Sequence, residues 1–368
     1  MPIIMNRLLF FLFFFFVSLV IYGQTDPDPD ETIDTQTCTV NLEEAQLLYD
    51  EGRIQEIEGK VLPCLDAGAY SKSESEQALR LMILANIFME EGGRADTLML
   101  RLLSYSHEFT PDPILDPTEF INLYNTYNTD PIFKIGFKIG QNWSLNDVSQ
   151  FHTIGQPGTK YEYSLINGIH ASLLFEWEFK DRFILYPEIS YSQRRYSKEA
   201  EFYGIISDDL YSTHEIQELF TWVELPVTVQ YELSDNPKLK PYIFAGGSVS
   251  YLLSSEYPGD VNSRTRIGNS EVKLSTASSL EDRNQINFNA ILGGGIKIKA
   301  GEGYVTAELR AGYMITDLTK DSNGLIPTEN PDLVHGLWEW YDSFKQHYAA
   351  ITIGYTKNFY NIKKRASK

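Results

Sequence analysis

The chain has 368 residues, 43% hydrophobic and 22% charged, a globular-like composition in which tyrosine and phenylalanine help lift the aromatic share to 13%. Its formal charge of −19 argues against the clustered basic surface that nucleic-acid binding requires, so no nucleic-acid partner is expected.

At the N-terminus, Arg7 precedes the unbroken apolar run "LLFFLFFFFVSLVIYG" (Leu8–Gly23). Such a run, ending on a small residue, predicts a secretory signal peptide over residues 1–23. It is short for a helix that spans a bilayer. The mature chain is therefore expected to be exported. Residues 24–37, "QTDPDPDETIDTQT", are acidic, carry two prolines and hold little to bury, which predicts a flexible leader.

Between residues 38 and 128 the apolar period is helical. In "NLEEAQLLYDEG" the apolar set is Leu42, Ala45, Leu48 and Tyr49, with Asn41 as the expected N-cap. "RIQEIEGKVLPCLDAG" predicts a second helix. "QALRLMILANIFMEEGG", behind the cap-like "SKSESE", predicts a third, and "RADTLMLRLLSYSHEF" follows. In "DPTEFINLYNTY", Asp116 is expected to cap and Pro117 to take the first helical position. The helix pairs resemble tetratricopeptide-type hairpins, although the period of about 34 residues does not repeat cleanly. A small bundle of four or five helices is the alternative. The two cysteines, Cys38 and Cys64, both fall here. In an exported chain an isolated pair predicts a disulfide; free buried thiols are the other reading.

From Pro131 the period changes to two. In "PIFKIGFKIG", Phe133, Ile135, Phe137 and Ile139 alternate with Lys134, Gly136, Lys138 and Gly140, as successive side chains do on opposite faces of a strand. Eight such segments follow one another: 132–143, 167–179, 183–195, 219–233, 241–253, 286–299, 304–315 and 347–359. Connections after the second, fourth and sixth are short ("KDR", "SDNPKLK", "AGEG"); those after the first, third, fifth and seventh are long. This alternation predicts an up-and-down outer-membrane barrel with tight periplasmic turns and long external loops. The apolar faces carry Trp143, Trp177, Tyr191, Tyr231, Tyr251 and Tyr313 near their tips, as an aromatic girdle requires. The opposite faces carry Lys134, Lys138, Lys297, Lys299 and Arg310 against Glu176, Glu178, Glu188, Glu224 and Glu308. Charges of both signs can pair inside a narrow lumen. A soluble barrel with an apolar interior and its charges outside is the competing arrangement.

The stretch "FTWVELPVTVQYELSDNPKLKPYIFAGGSVSYLLSSE" resembles the outer-membrane β-barrel domain family widespread in Bacteroidota, porin-like and including PorT-type barrels. The carrying residues are Val223-Glu224-Leu225-Pro226-Val227 and Pro241-Tyr242-Ile243-Phe244-Ala245-Gly246. "NAILGGGIKI", "AELRAGYMITDL" and "ITIGYTKNF" are similar to its later strands. The resemblance covers about 131–359 and implies fold and compartment, with no shared chemistry.

Of the six histidines (His107, His152, His170, His214, His335, His347), His170 faces the expected lumen near Ser172, Glu176 and Glu178. A polar lining accounts for it as readily as a catalytic set does. The glycine-rich "AGGSVS" and "LGGGIK" lie inside strands, where they relieve crowding. No zinc-site spacing or phosphate loop occurs, so no cofactor and no enzymatic activity is expected. The sequence thus predicts a transmembrane antiparallel β-barrel of eight strands (131–360), an N-terminal all-α periplasmic domain (38–128) and a basic tail (361–368). Its expected partners are outer-membrane lipid and a periplasmic protein bound through the helices. A membrane anchor and interaction module with a plugged lumen is the leading functional reading, and a narrow channel for small solutes the alternative.

Overall fold

A computed structural model describes residues 35–150, 160–203, 210–257, 260–265, 268–273, 277–320 and 343–365. The expected signal peptide and most of the expected acidic leader lie outside them. The chain divides into two compact units, one of residues up to 128 together with 364–368, the other of residues 129–363.

Among its described residues the first unit holds five α-helices: α1 (Thr35–Asp50), α2 (Ile57–Asp66), α3 (Lys72–Phe88), α4 (Gly92–Tyr105) and α5 (Thr118–Asn125). On α1, Cys38, Leu42, Ala45 and Leu48 form one buried stripe, and a disulfide from Cys38 to Cys64 ties α1 to α2. Helix α3 is buried on most sides, through Leu79, Leu81, Met82, Ile83 and Leu84, and is the core around which the others pack. It starts from a reciprocal cap: the Ser71 hydroxyl accepts from the Glu74 N–H, and the Glu74 carboxylate accepts from the Ser71 N–H.

Three local expectations change. Thr35–Thr37 are helical rather than part of a leader, so Asn41 lies inside α1, where its amide contacts Cys64 Sγ at 3.7 Å. Asp116 does not cap α5. Its carboxylate accepts instead from Arg80 Nε at 2.6 Å and from the Asp112 N–H at 2.7 Å, and Pro117 takes the N-cap place. A stronger charged partner outcompetes the cap.

The second unit is a ring of eight strands: β1 (Pro131–Gln150), β2 (Lys160–Lys180), β3 (Phe183–Tyr203), β4 (Leu210–Glu232), β5 (Leu239–Tyr257), β6 (Ile286–Ala300), β7 (Gly303–Met314) and β8 (Ser343–Tyr360). Each pairs antiparallel with the next, and β8 pairs with β1 to close the ring, Ile353 opposite Ile139. Closure leaves none of the eight ring strands as an edge strand. Several strands run past the apolar alternation, through "SLNDVSQ" at the end of β1 and "LYSTHEIQE" at the start of β4. Lacking an apolar face, these extensions gave no strand signal. A further hairpin, Asp260–Thr265 with Gly268–Lys273, adds to the long-loop end of β4.

Alternation is strict on β7, where Val305, Leu309 and Tyr313 are exposed while Thr306, Glu308 and Arg310 are buried. The same sorting holds around the ring, with Phe137, Ile139, Leu173, Ile189, Leu225, Ile243, Leu292 and Ile353 all outward and exposed. The soluble-barrel arrangement is thereby ruled out: the apolar side chains form the outer belt.

Candidate functional site

The chemically distinctive part of the molecule is the barrel interior, which is filled in four tiers. At the short-turn end, Lys297 lies 2.8 Å from Glu176 and 3.4 Å from Glu232. Lys134 is 3.3 Å from Glu176, and Lys240 is 2.7 Å from Glu232. In the second tier, Lys138 sits 2.9 Å from Glu188 and 2.8 Å from Glu308. Arg310 pairs with the same two carboxylates, and the Tyr242 hydroxyl donates to Glu308 at 3.1 Å. Each cation here meets two carboxylates and each carboxylate two cations, so the charges neutralise one another within a few ångströms. That pairing is the condition for holding ions away from water.

In the third tier Arg194 pairs with Glu224, and its guanidinium carbon sits over the Tyr348 ring, 3.9 Å from the centroid. The fourth, at the long-loop end, is built on Glu218. It accepts from Arg283 (2.8 Å) and from the hydroxyls of Tyr196, Ser255 and Ser279. Around it packs an inward apolar cluster of Tyr196, Phe220, Trp222, Leu252, Met314, Leu318 and Phe344.

Small residues make the room. A Cβ on Gly293 would fall 2.4 Å from the Phe244 ring, and one on Gly312 would fall 2.0 Å from Tyr348. The glycine runs therefore admit large inward rings into a narrow ring of strands.

Lys134, Lys138, Glu176, Glu188, Glu224, Lys297, Glu308 and Arg310 all lie buried in this interior. Glu178 does not: it is exposed beside the turn that ends β2, where a register shift breaks the alternation. Lys299 lies half-buried near the end of β6, its ammonium 4.9 Å from the Tyr304 ring. Glu218 and Arg283 carried no sequence signal. The first sits in the polar stretch before the apolar part of β4, the second in a loop. His170 is fully buried, but Glu176 is engaged by two lysines, and neither His170 ring nitrogen bonds to Ser172 or Glu176. No relay of nucleophile, base and acid forms among these three. His347 stacks on Tyr313 and accepts from the Met314 N–H; His152 and His335 lie outside the described residues.

A closed ring of strands with an apolar exterior and an ion-paired interior is the architecture of a transmembrane β-barrel. Residues 129–320 match the outer membrane protein beta-barrel domain family, and the chain belongs to it. No curated protein matches the sequence. Among solved structures the chain is similar to Neisserial surface protein A, at 11% identity and a TM-score of 0.29, over 62% of this chain and 97% of that one. It is also similar to the outer membrane protein OprG from Pseudomonas aeruginosa, at 13% identity and a TM-score of 0.31, over 63% and 98%. The outer membrane protease OmpT from Escherichia coli matches at 7% identity and a TM-score of 0.32, over 62% and 96%.

Proposed function

We propose that the barrel is a sealed anchor in the outer membrane and that the helical unit, in the periplasm, docks an envelope or secretion partner. The observation that carries this reading is the filled interior. A ring of eight strands is just wide enough for side chains, and here those side chains are interlocked ion pairs capped by an aromatic cluster. Strand β1 begins and β8 ends on the side of the short turns, the periplasmic side in barrels of this kind. That supports periplasmic helices and external long loops. The residues Val223–Val227 and Pro241–Gly246 support kinship with the porin-like barrels of Bacteroidota, PorT-type barrels among them, and so a role beside secretion or envelope assemblies.

The test has two arms. Full-length protein in planar bilayers is expected to give no steady single-channel steps. Long-lived, regular steps would replace the anchor with a narrow channel. From native membranes, the full chain is expected to co-purify a protein that a chain lacking residues 41–127 loses while its barrel still assembles. An unchanged set of co-purified proteins would remove the docking role.

A further inference from the structure

The helical unit counts among its own residues a segment that follows the whole barrel in sequence. Lys364 Nζ lies 2.6 Å from Asp96 on α4 and 5.9 Å from the Tyr127 ring centroid. Tyr127 is buried, and its hydroxyl donates to the Asp96 carboxylate at 2.7 Å and stands 3.0 Å from the Asp96 carbonyl. The Arg365 N–H donates to the Thr126 carbonyl at 2.7 Å. One carboxylate thus gathers an ammonium and a phenol, and a backbone bond holds the arriving segment in place. Charge favours the match. Residues 35–128 carry sixteen acidic side chains against six basic ones, and the arriving segment reads Lys363-Lys364-Arg365.

We propose that Asp96, Tyr127 and the Thr126 carbonyl form a docking site for the chain's own basic C-terminal segment, a clasp that completes the helical unit. An exposed ion pair alone would contribute little. This pair differs in being set beside a buried phenol and anchored by a backbone bond. Its consequence is temporal. Lys364 follows every barrel strand, so the helical unit reaches its final form only after the last strand has been delivered. Unfinished or C-terminally clipped chains carry an open helical unit whatever their barrel does.

The experiment compares full-length protein in detergent with Lys364→Glu, Asp96→Lys, the swapped double variant and a chain ending at Tyr360. Heat-modifiable gel migration monitors the barrel, and hydrogen exchange read by mass spectrometry follows residues 92–128. The clasp predicts at least tenfold faster exchange across these residues in both single variants and in the truncated chain, with barrel peptides unchanged. It predicts recovery of most protection in the swap. Exchange equal to the parent in the single variants would overturn it, and so would a swap no better than its parents. If the truncated chain fails to assemble, the point variants still decide.

Discussion

Leu309 on the barrel and Leu47 on the helical unit are equally exposed, at 61% each, yet they answer to opposite rules. Around Leu309 every outward neighbour is apolar, and the charges of its strand, Glu308 and Arg310, are buried. Around Leu47 the outward neighbours are Glu43, Gln46 and Asp50, and the apolar stripe of α1 faces inward. The two units are turned inside out with respect to each other. What differs is the solvent each apolar group meets: in hydrocarbon an outward leucine is at rest, and in water it is merely tolerated. Burial alone, read without the solvent, would rank these two positions as the same.

The largest contrast is in ion pairs. Glu188→Ala would leave Lys138 and Arg310 sharing one carboxylate in a dry interior. It is expected to cost the barrel about 3–5 kcal/mol in urea unfolding from vesicles. The surface pair of Glu58 with Arg94 is expected to contribute under about 1 kcal/mol when Glu58 is changed to Ala. Similar losses for the two would erase the distinction between the buried pairs of the barrel and the surface pairs of the helical unit. Next comes Leu309→Arg, at mid-strand on the outer belt, expected to cost about 2–4 kcal/mol. Leu47→Arg is expected to stay within about 0.5 kcal/mol.

The helical unit has its own staple. Replacing both Cys38 and Cys64 by Ser opens a crosslink between positions 26 residues apart. It should cost about 2–4 kcal/mol, seen as a lower helical melting midpoint with heat-modifiable barrel migration unaltered. Ser71→Ala removes the cap on α3 and is expected to cost about 1 kcal/mol in the same helical transition.

The smallest effect is the pH dependence of the clasp. Burial acts to raise the Asp96 carboxyl, but hydrogen bonds from Lys364 and Tyr127 outweigh it and hold it below its ordinary value. Its contribution is therefore complete above the usual carboxylate range and lost as pH falls through the lowered folded value. Burial, then Asp96, push the Tyr127 phenol up. Its neutral form contributes fully below the ordinary tyrosine range, and that contribution is lost as pH rises through the raised folded value. Helical melting followed against pH is thus expected to be flat through neutrality and to fall at both extremes.

The barrel was legible because Phe133–Ile139 and Val305–Tyr313 repeat every second residue, a period that only a strand with two unlike faces produces. Four things escaped. Phe220, Trp222 and Phe344 are apolar residues on the polar face, so they blur alternation. Arg283 arrives from a loop, where no period exists. Asn41 and Asp116 look like caps, but helix starts are set by competing partners, and for Asp116 the partner, Arg80, is 36 positions away. The tail's return to Asp96 joins residues separated by the whole barrel, a contact that local patterns do not encode.

The outward leucines give the most direct test. With Cys38 and Cys64 joined, a nitroxide label reacts only at an introduced cysteine. In liposome-reconstituted full-length protein, labels at Leu309→Cys and Leu47→Cys can be compared for access to oxygen and to a nickel chelate. Immersion of the barrel's belt in lipid predicts high oxygen and low nickel access at 309, with the reverse at 47. Equal, high nickel access at both would contradict it.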